Sequence, residues 1–147
     1  MKKAIILFLS LFMIIGATDA QLRKVPSVVT NAFSAQYPTA TNLTWKDNLT
    51  NFEAQFDLSG NHTVAKFKST GEWIETQKDL TFDGLSAAVR DGFNKSKYND
   101  WPKEEIKEIS SKGKGTNYRI YVRKADLNKR YLFFNTQGVL IRDAITL

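Results

Sequence analysis

Between Phe52 and Trp73 the chain reads FEAQFDLSGNHTVAKFKSTGEW, and the two-residue alternation in this stretch limits the fold more than any other feature. Phe52, Ala54, Phe56 and Leu58 fall on one side of an extended chain, with Glu53, Gln55 and Asp57 on the other. Ser59, Gly60 and Asn61 tolerate the positive φ of a hairpin turn, and Thr63, Ala65 and Phe67 resume the apolar side beyond it. A second turn at Ser69-Thr70-Gly71 leads into a third strand at Trp73 and Ile74. The pattern predicts an antiparallel meander that runs to about Leu80. Nothing in it performs recognisable chemistry.

Upstream, Val25, Val28, Val29, Ala32, Phe33 and Tyr37 recur at three- and four-residue steps and make one apolar helical stripe. Pro26 suits the first helical position, and Pro38 stops the helix after Tyr37. Thr39 to Trp45 is extended, with Leu43 and Trp45 on one side, and Lys46 to Asn51 is a polar turn. The plan then restarts: Leu85, Ala88, Val89, Gly92 and Phe93 repeat the stripe, and Leu85, Val89 and Phe93 follow Val25, Val29 and Phe33 at a constant offset of sixty. Asp83 is the candidate helix cap. Tyr118, Ile120 and Val122 repeat the alternation of Phe52, Ala54 and Phe56, and the segment from Phe67 to Trp73 aligns with that from Phe134 to Leu140. This reads as an internal duplication. Between the second helix and its meander lies the charged run WPKEEIKEISSKGKG; Ile106 and Ile109 fit either a short helix or a strand, and the strand is favoured. Val139, Ile141 and Ile145 lie on one face of a last strand that reaches Leu147.

Residues 1–20 combine a Lys2-Lys3 start, an apolar run from Ala4 to Ala17 and small residues at Thr18 and Ala20. This is the pattern of a secretory signal cleaved after Ala20. The apolar run is shorter than the ~20 residues of a spanning helix, so no membrane span is expected after cleavage. The absence of cysteine excludes a disulfide framework and thiol chemistry, and leaves stability to the packed core. Periplasm or exterior is the expected compartment. The chain carries a net charge of +6, and the surplus is uneven: residues 21–81 hold six basic and six acidic groups, residues 82–147 thirteen and eight. The bias suits an anionic partner, while export argues against nucleic acid.

Val25-Pro26, Ala32-Phe33, Tyr37-Pro38-x-Ala40, Trp45, Phe52-Glu53-Ala54-x-Phe56 and Phe67-x-x-x-Gly71-x-Trp73 together resemble the PepSY-like family of β-lactamase-inhibitor-like proteins, which are small exported bacterial domains. The resemblance implies a helix packed on an antiparallel sheet, often in tandem, and an inhibitory or ligand-binding role. It supplies no catalytic residue. The second half departs from the pattern, since it lacks the Tyr-Pro-x-Ala element and has its charged insertion where Trp45 would fall.

The expected fold is therefore α+β, with two αβββ-type repeats at residues 21–81 and 82–147 and helices on one face of the sheet. Candidate chemistry is sparse. His62, the lone histidine, sits in the Gly60-Asn61 turn, and Glu104 and Glu105 would point to opposite sides of a strand. No nucleophile-elbow or phosphate-loop motif occurs, so no catalytic residue, metal or cofactor is expected and an enzyme is disfavoured. The candidate site is the outer sheet face, where alternation places Lys66, Lys68, Arg119, Tyr121, Arg123, Tyr131 and Phe133. Such a basic and aromatic row suits a protein or peptide partner, an anionic one being in keeping with the charge of the second half. The competing reading is cross-strand aromatic pairing with lysines guarding the edges. A structural envelope domain without a specific ligand and a small hydrolase are the alternative functions.

Overall fold

The computed structural model describes residues 24–126 and 128–145. The expected signal segment and its cleavage after Ala20 lie outside the described residues, as do residues 146–147. Among the described residues two helices, α1 (Ser27–Gln36) and α2 (Ala87–Asn94), accompany eight strands: β1 (Thr41–Asp47), β2 (Phe52–Leu58), β3 (Asn61–Phe67), β4 (Trp73–Asp79), β5 (Lys103–Ser111), β6 (Gly115–Ala125), β7 (Asn128–Asn135) and β8 (Leu140–Ile145). The strands form one antiparallel sheet in the order β1 to β8. Each helix is followed by four strands, one more than the αβββ expectation, because Thr41–Asp47 and Lys103–Ser111 both pair into the sheet. The charged run at 103–111 is thus a strand.

The helix ends differ from the sequence expectation in detail. Pro26 is the N-cap of α1, one position earlier than expected, and its carbonyl accepts from Val29 N at 3.0 Å and Thr30 N at 3.2 Å. A residue without an N–H loses nothing there. Ser86, and not Asp83, caps α2, its Oγ accepting from Val89 N at 3.3 Å; Asp83 is too far upstream of Ala87 to reach the first turn. The stripes are also narrower than expected. Val29 and Phe33 of α1 are buried and so are Val89 and Phe93 of α2, but Val28 and Ala88 are exposed.

Register explains how the core forms. Phe52 faces Phe67, Ala54 faces Ala65 and Phe56 faces Thr63, so all six share one face. With Val29, Phe33 and Tyr37 the five apolar ones make one buried cluster. Ile106, Ile120, Val122, Leu132 and Phe134 make the second with Leu85, Val89, Phe93 and Tyr98. Between the clusters, on the same face, β4 and β5 meet through the polar pairs Thr76–Ser110 and Lys78–Glu108. Two separate cores therefore share one sheet.

Two similar closures hold the helices down. Beyond α1 the Tyr37 hydroxyl hydrogen-bonds the Thr76 hydroxyl on β4, and beyond α2 the Tyr98 hydroxyl donates to Asp143 on β8. The β3–β4 and β7–β8 turns each carry a positive-φ glycine, Gly71 or Gly138, against a helix backbone. A Cβ on Gly71 would lie 2.8 Å from the Val28 carbonyl oxygen, and one on Gly138 only 2.0 Å from that of Ala88.

Three further expectations are corrected, the first two by bulges. Between Thr41 and Thr44 the register slips, Asn42 has φ +54°, and Leu43 is exposed, although Trp45 packs on the first core. A slip between Phe133 and Phe134 puts Ile141 and Ile145 on different faces, and Val139 precedes β8. His62 lies within β3, opposite Asp57, and the turn before it is Ser59-Gly60 at φ +52° and +77°. That is a two-residue hairpin turn of the primed type.

At the hairpin ends Glu72 accepts from Lys112 Nζ at 2.6 Å and Lys68 Nζ at 2.8 Å, linking the β3–β4 and β5–β6 turns. The hydrogen bonds from Lys112 and Lys68 lower the Glu72 carboxyl from its ordinary 4.5 to about 2. The folded state thus holds the proton less tightly than the unfolded chain. The contribution is complete above about pH 5 and is lost as pH falls toward 2. Acid titration followed by near-UV circular dichroism should show a shallower acid limb for Glu72→Gln than for the parent.

A half-buried arginine and aromatic ladder on the outer sheet face

The face away from both cores is built by the alternate residues of the same strands. On β6, Arg119 faces Phe133 of β7 and Lys107 of β5, and Tyr121 faces Tyr131 and Glu105. The Tyr121 and Tyr131 rings lie 5.0 Å apart, tilted by 38°. Arg119 sits 5.0 Å from the Tyr131 ring centroid and donates through Nη2 to Glu105 Oε1 at 2.6 Å. From β8 the Arg142 guanidinium lies 3.6 Å from the centre of Phe133. Each contact joins neighbouring strands, so the row is a cross-strand ladder.

Of the seven residues expected on this face, the structure brings four together: Arg119, Tyr121, Tyr131 and Phe133. They are half-buried by one another, where simple alternation left them exposed. Arg123 is exposed beyond them and donates to Glu104 Oε1 from Nη2 at 3.2 Å. Lys66 shares the face but lies three strands away on β3, paired with Glu75 at 3.0 Å. Lys68 lies past the end of β3 in the turn, on Glu72. The Glu104-Glu105 pair does not split across the strand, because a bulge between Lys103 and Glu105 lets both carboxylates reach arginines of this face. Among the described residues no group of three or more metal-ligating side chains occurs.

Sequence reasoning missed the residues that complete the face. Ile109 is 8% exposed although it points away from the helices, and with Asn117, Phe133, Ile141 and Arg142 it lines an open cleft of about 470 Å³. The signal was available, since Ile106 and Ile109 are three apart on a strand and have to face opposite sides. Arg119 Nε and Asn117 Oδ1, both lining this cleft, are buried without a hydrogen-bond partner. Glu75 closes the far side. Burial raises its carboxyl, but hydrogen bonds from Lys66 and Gln77 outweigh that and hold it below the ordinary value.

The fold has solved counterparts. A BLIP-like protein from Bacteroides fragilis superimposes with a TM-score of 0.83 at 22% identity, covering 87% of this chain and 91% of that one. A protein from Bacteroides eggerthii described as a "putative periplasmic" protein gives a TM-score of 0.76 at 26% identity over 84% and 90% of the two chains. No curated protein matches in sequence. Residues 51–142 match the family described as "Putative beta-lactamase-inhibitor-like, PepSY-like". The span takes in six of the eight strands whole and the first half of β8, together with α2 and the arginine and aromatic ladder, and the chain belongs to this PepSY-like, β-lactamase-inhibitor-like family.

Proposed function

We infer that the protein is an exported, non-enzymatic binding module of the inhibitor-like kind, which takes a protein or peptide partner on the outer face of its sheet. The observation that carries this reading is the ladder of Arg119, Tyr121, Tyr131, Phe133 and Arg142 on the face that neither helix covers. Rings already held by neighbours lose little entropy when a partner covers them. Export is supported by the signal-like pattern of residues 1–20 and by the description of the Bacteroides eggerthii relative.

The same reading takes residues 21–81 and 82–147 as tandem copies. Its support is the paired burial of Val29 and Phe33 with Val89 and Phe93, the matching Gly71 and Gly138 closures, and the two tyrosine hydroxyls that reach β4 and β8.

Affinity capture from envelope extract tests the function. The parent should enrich one protein repeatedly, and Tyr121→Ala with Tyr131→Ala should lose it while still folding. Arg123→Ala, at an exposed position, should weaken capture mainly at low salt. If the parent enriches nothing, the ladder acts only as cross-strand packing and the envelope-structural reading takes over.

A further inference from the structure

The cleft beside the ladder is more selective than the face as a whole. Ile109, Phe133 and the half-exposed Ile141 lay an apolar strip along a lining that is otherwise polar. Its β8 end is cationic through Arg142, and Lys114 adds a second uncommitted cation from the β5–β6 turn on the rim. Arg119, Arg123, Lys66, Lys107 and Lys112 all have carboxylate partners, whereas among the described residues Arg142 and Lys114 have none. Arg142 lies on the Phe133 ring at van der Waals distance, which leaves the N–H edge of its guanidinium for a bidentate acceptor. The opposite end is acidic through Glu75, kept ionised by Lys66.

We propose that this cleft seats an extended, acidic segment of a protein partner, which sets one apolar side chain over Ile109, Phe133 and Ile141 and the carboxylate of an adjoining Asp or Glu against Arg142. The proposal rests on the binding reading above and names its partner chemistry. Charge complementarity carries it. The unpaired Arg142 beside Phe133 and Ile141 selects a carboxylate next to a hydrophobe, Lys114 on the rim adds to the positive field, and Glu75 at the other end repels a segment that is acidic throughout. The dimensions agree. From β4 to β8 the cleft crosses four strand spacings, about 19 Å, the reach of about five or six extended residues.

The test is a backbone-amide NMR titration of the full chain with the blocked peptide acetyl-Gly-Ser-Leu-Glu-Ser-Gly-amide and with its Leu→Ser and Glu→Gln counterparts. Shifts should cluster at Ile109, Asn117, Phe133 and Arg142, and each counterpart should bind about fivefold more weakly or worse. In R142Q, whose side chain is exposed so that the fold should survive, the preference for glutamate over glutamine should vanish. Shifts elsewhere, no shifts up to about millimolar peptide, equal binding of the glutamate and glutamine peptides to the parent, or the same shifts from inorganic phosphate would each overturn the proposal. Its failure is separable from that of the broader reading. If R142Q and Ile141→Ser still capture the partner while the Tyr121 and Tyr131 variants do not, the face binds and the cleft is not its seat.

Discussion

Gly138→Ala should cost more than about 4 kcal/mol in urea denaturation, enough to leave little of the stability of a domain this size. The new methyl would meet the Ala88 carbonyl oxygen at 2.0 Å and the Val89 nitrogen at 3.2 Å, both of them backbone atoms that cannot rotate away. It would also occupy φ +79°, where an L-residue is strained. From the other side of the same contact, Gly92→Ala should do comparable damage, its Cβ falling 1.9 Å from the Gly138 carbonyl oxygen despite a helical backbone. Gly60→Ala is the control. It has the same hand of φ, +77°, but nothing within 4 Å, so it should cost only about 1 kcal/mol.

The second large effect is expected at the ring cluster of the first core. Phe33 lies 4.9 Å from Phe56, 5.3 Å from Tyr37 and 5.4 Å from Trp45, centre to centre. Phe33→Ala or Phe56→Ala should each cost about 3 to 5 kcal/mol, because several rings that cannot all collapse surround the cavity. Tyr121→Ala and Tyr131→Ala should cost about 1 kcal/mol, since they lose cross-strand contacts with a ring or guanidinium and no buried core. Chemical denaturation of the four variants separates the two faces. Outer-face variants that unfold as early as Phe33→Ala would overturn the assignment of faces.

Much of this architecture is legible in the chain because burial on one side imposes a two-residue period. Phe52, Ala54, Phe56, Ala65 and Phe67 all lie in the core, as that period requires. The sixty-residue offset likewise marked Val29, Phe33, Val89 and Phe93. Legibility fails where the period does. Glu104, Leu43 and Ile141 sit at bulges, and one inserted residue reverses the parity of everything that follows on that strand. The ladder was half visible. Alternation placed Arg119, Tyr121, Tyr131 and Phe133 together on the outer face, but their mutual burial depends on Arg142 and Ile109 arriving from β8 and β5, and no local pattern carries that pairing. Tyr98 was missed for a related reason. Its hydroxyl meets Asp143 on the last strand, a contact across the length of the second half.

The polar seam between β4 and β5 leaves two plates, each stiffened by its own core, joined by a strip of sheet without one. Leu80 reaches the second core only past the end of β4; along the strands themselves the described ties are the backbone ladder from Glu75–Ser111 to Asp79–Lys107, the 2.7 Å Lys107–Asp79 bridge and the Glu72–Lys112 contact. Such polar ties resist bending far less than a packed core, so the angle between the plates is the softest coordinate of the sheet. The cleft from Glu75 to Arg142 straddles that strip. A ligand lying across it would act as a splint, and hydrogen exchange at the β4 and β5 amides should slow on binding more than exchange within either core.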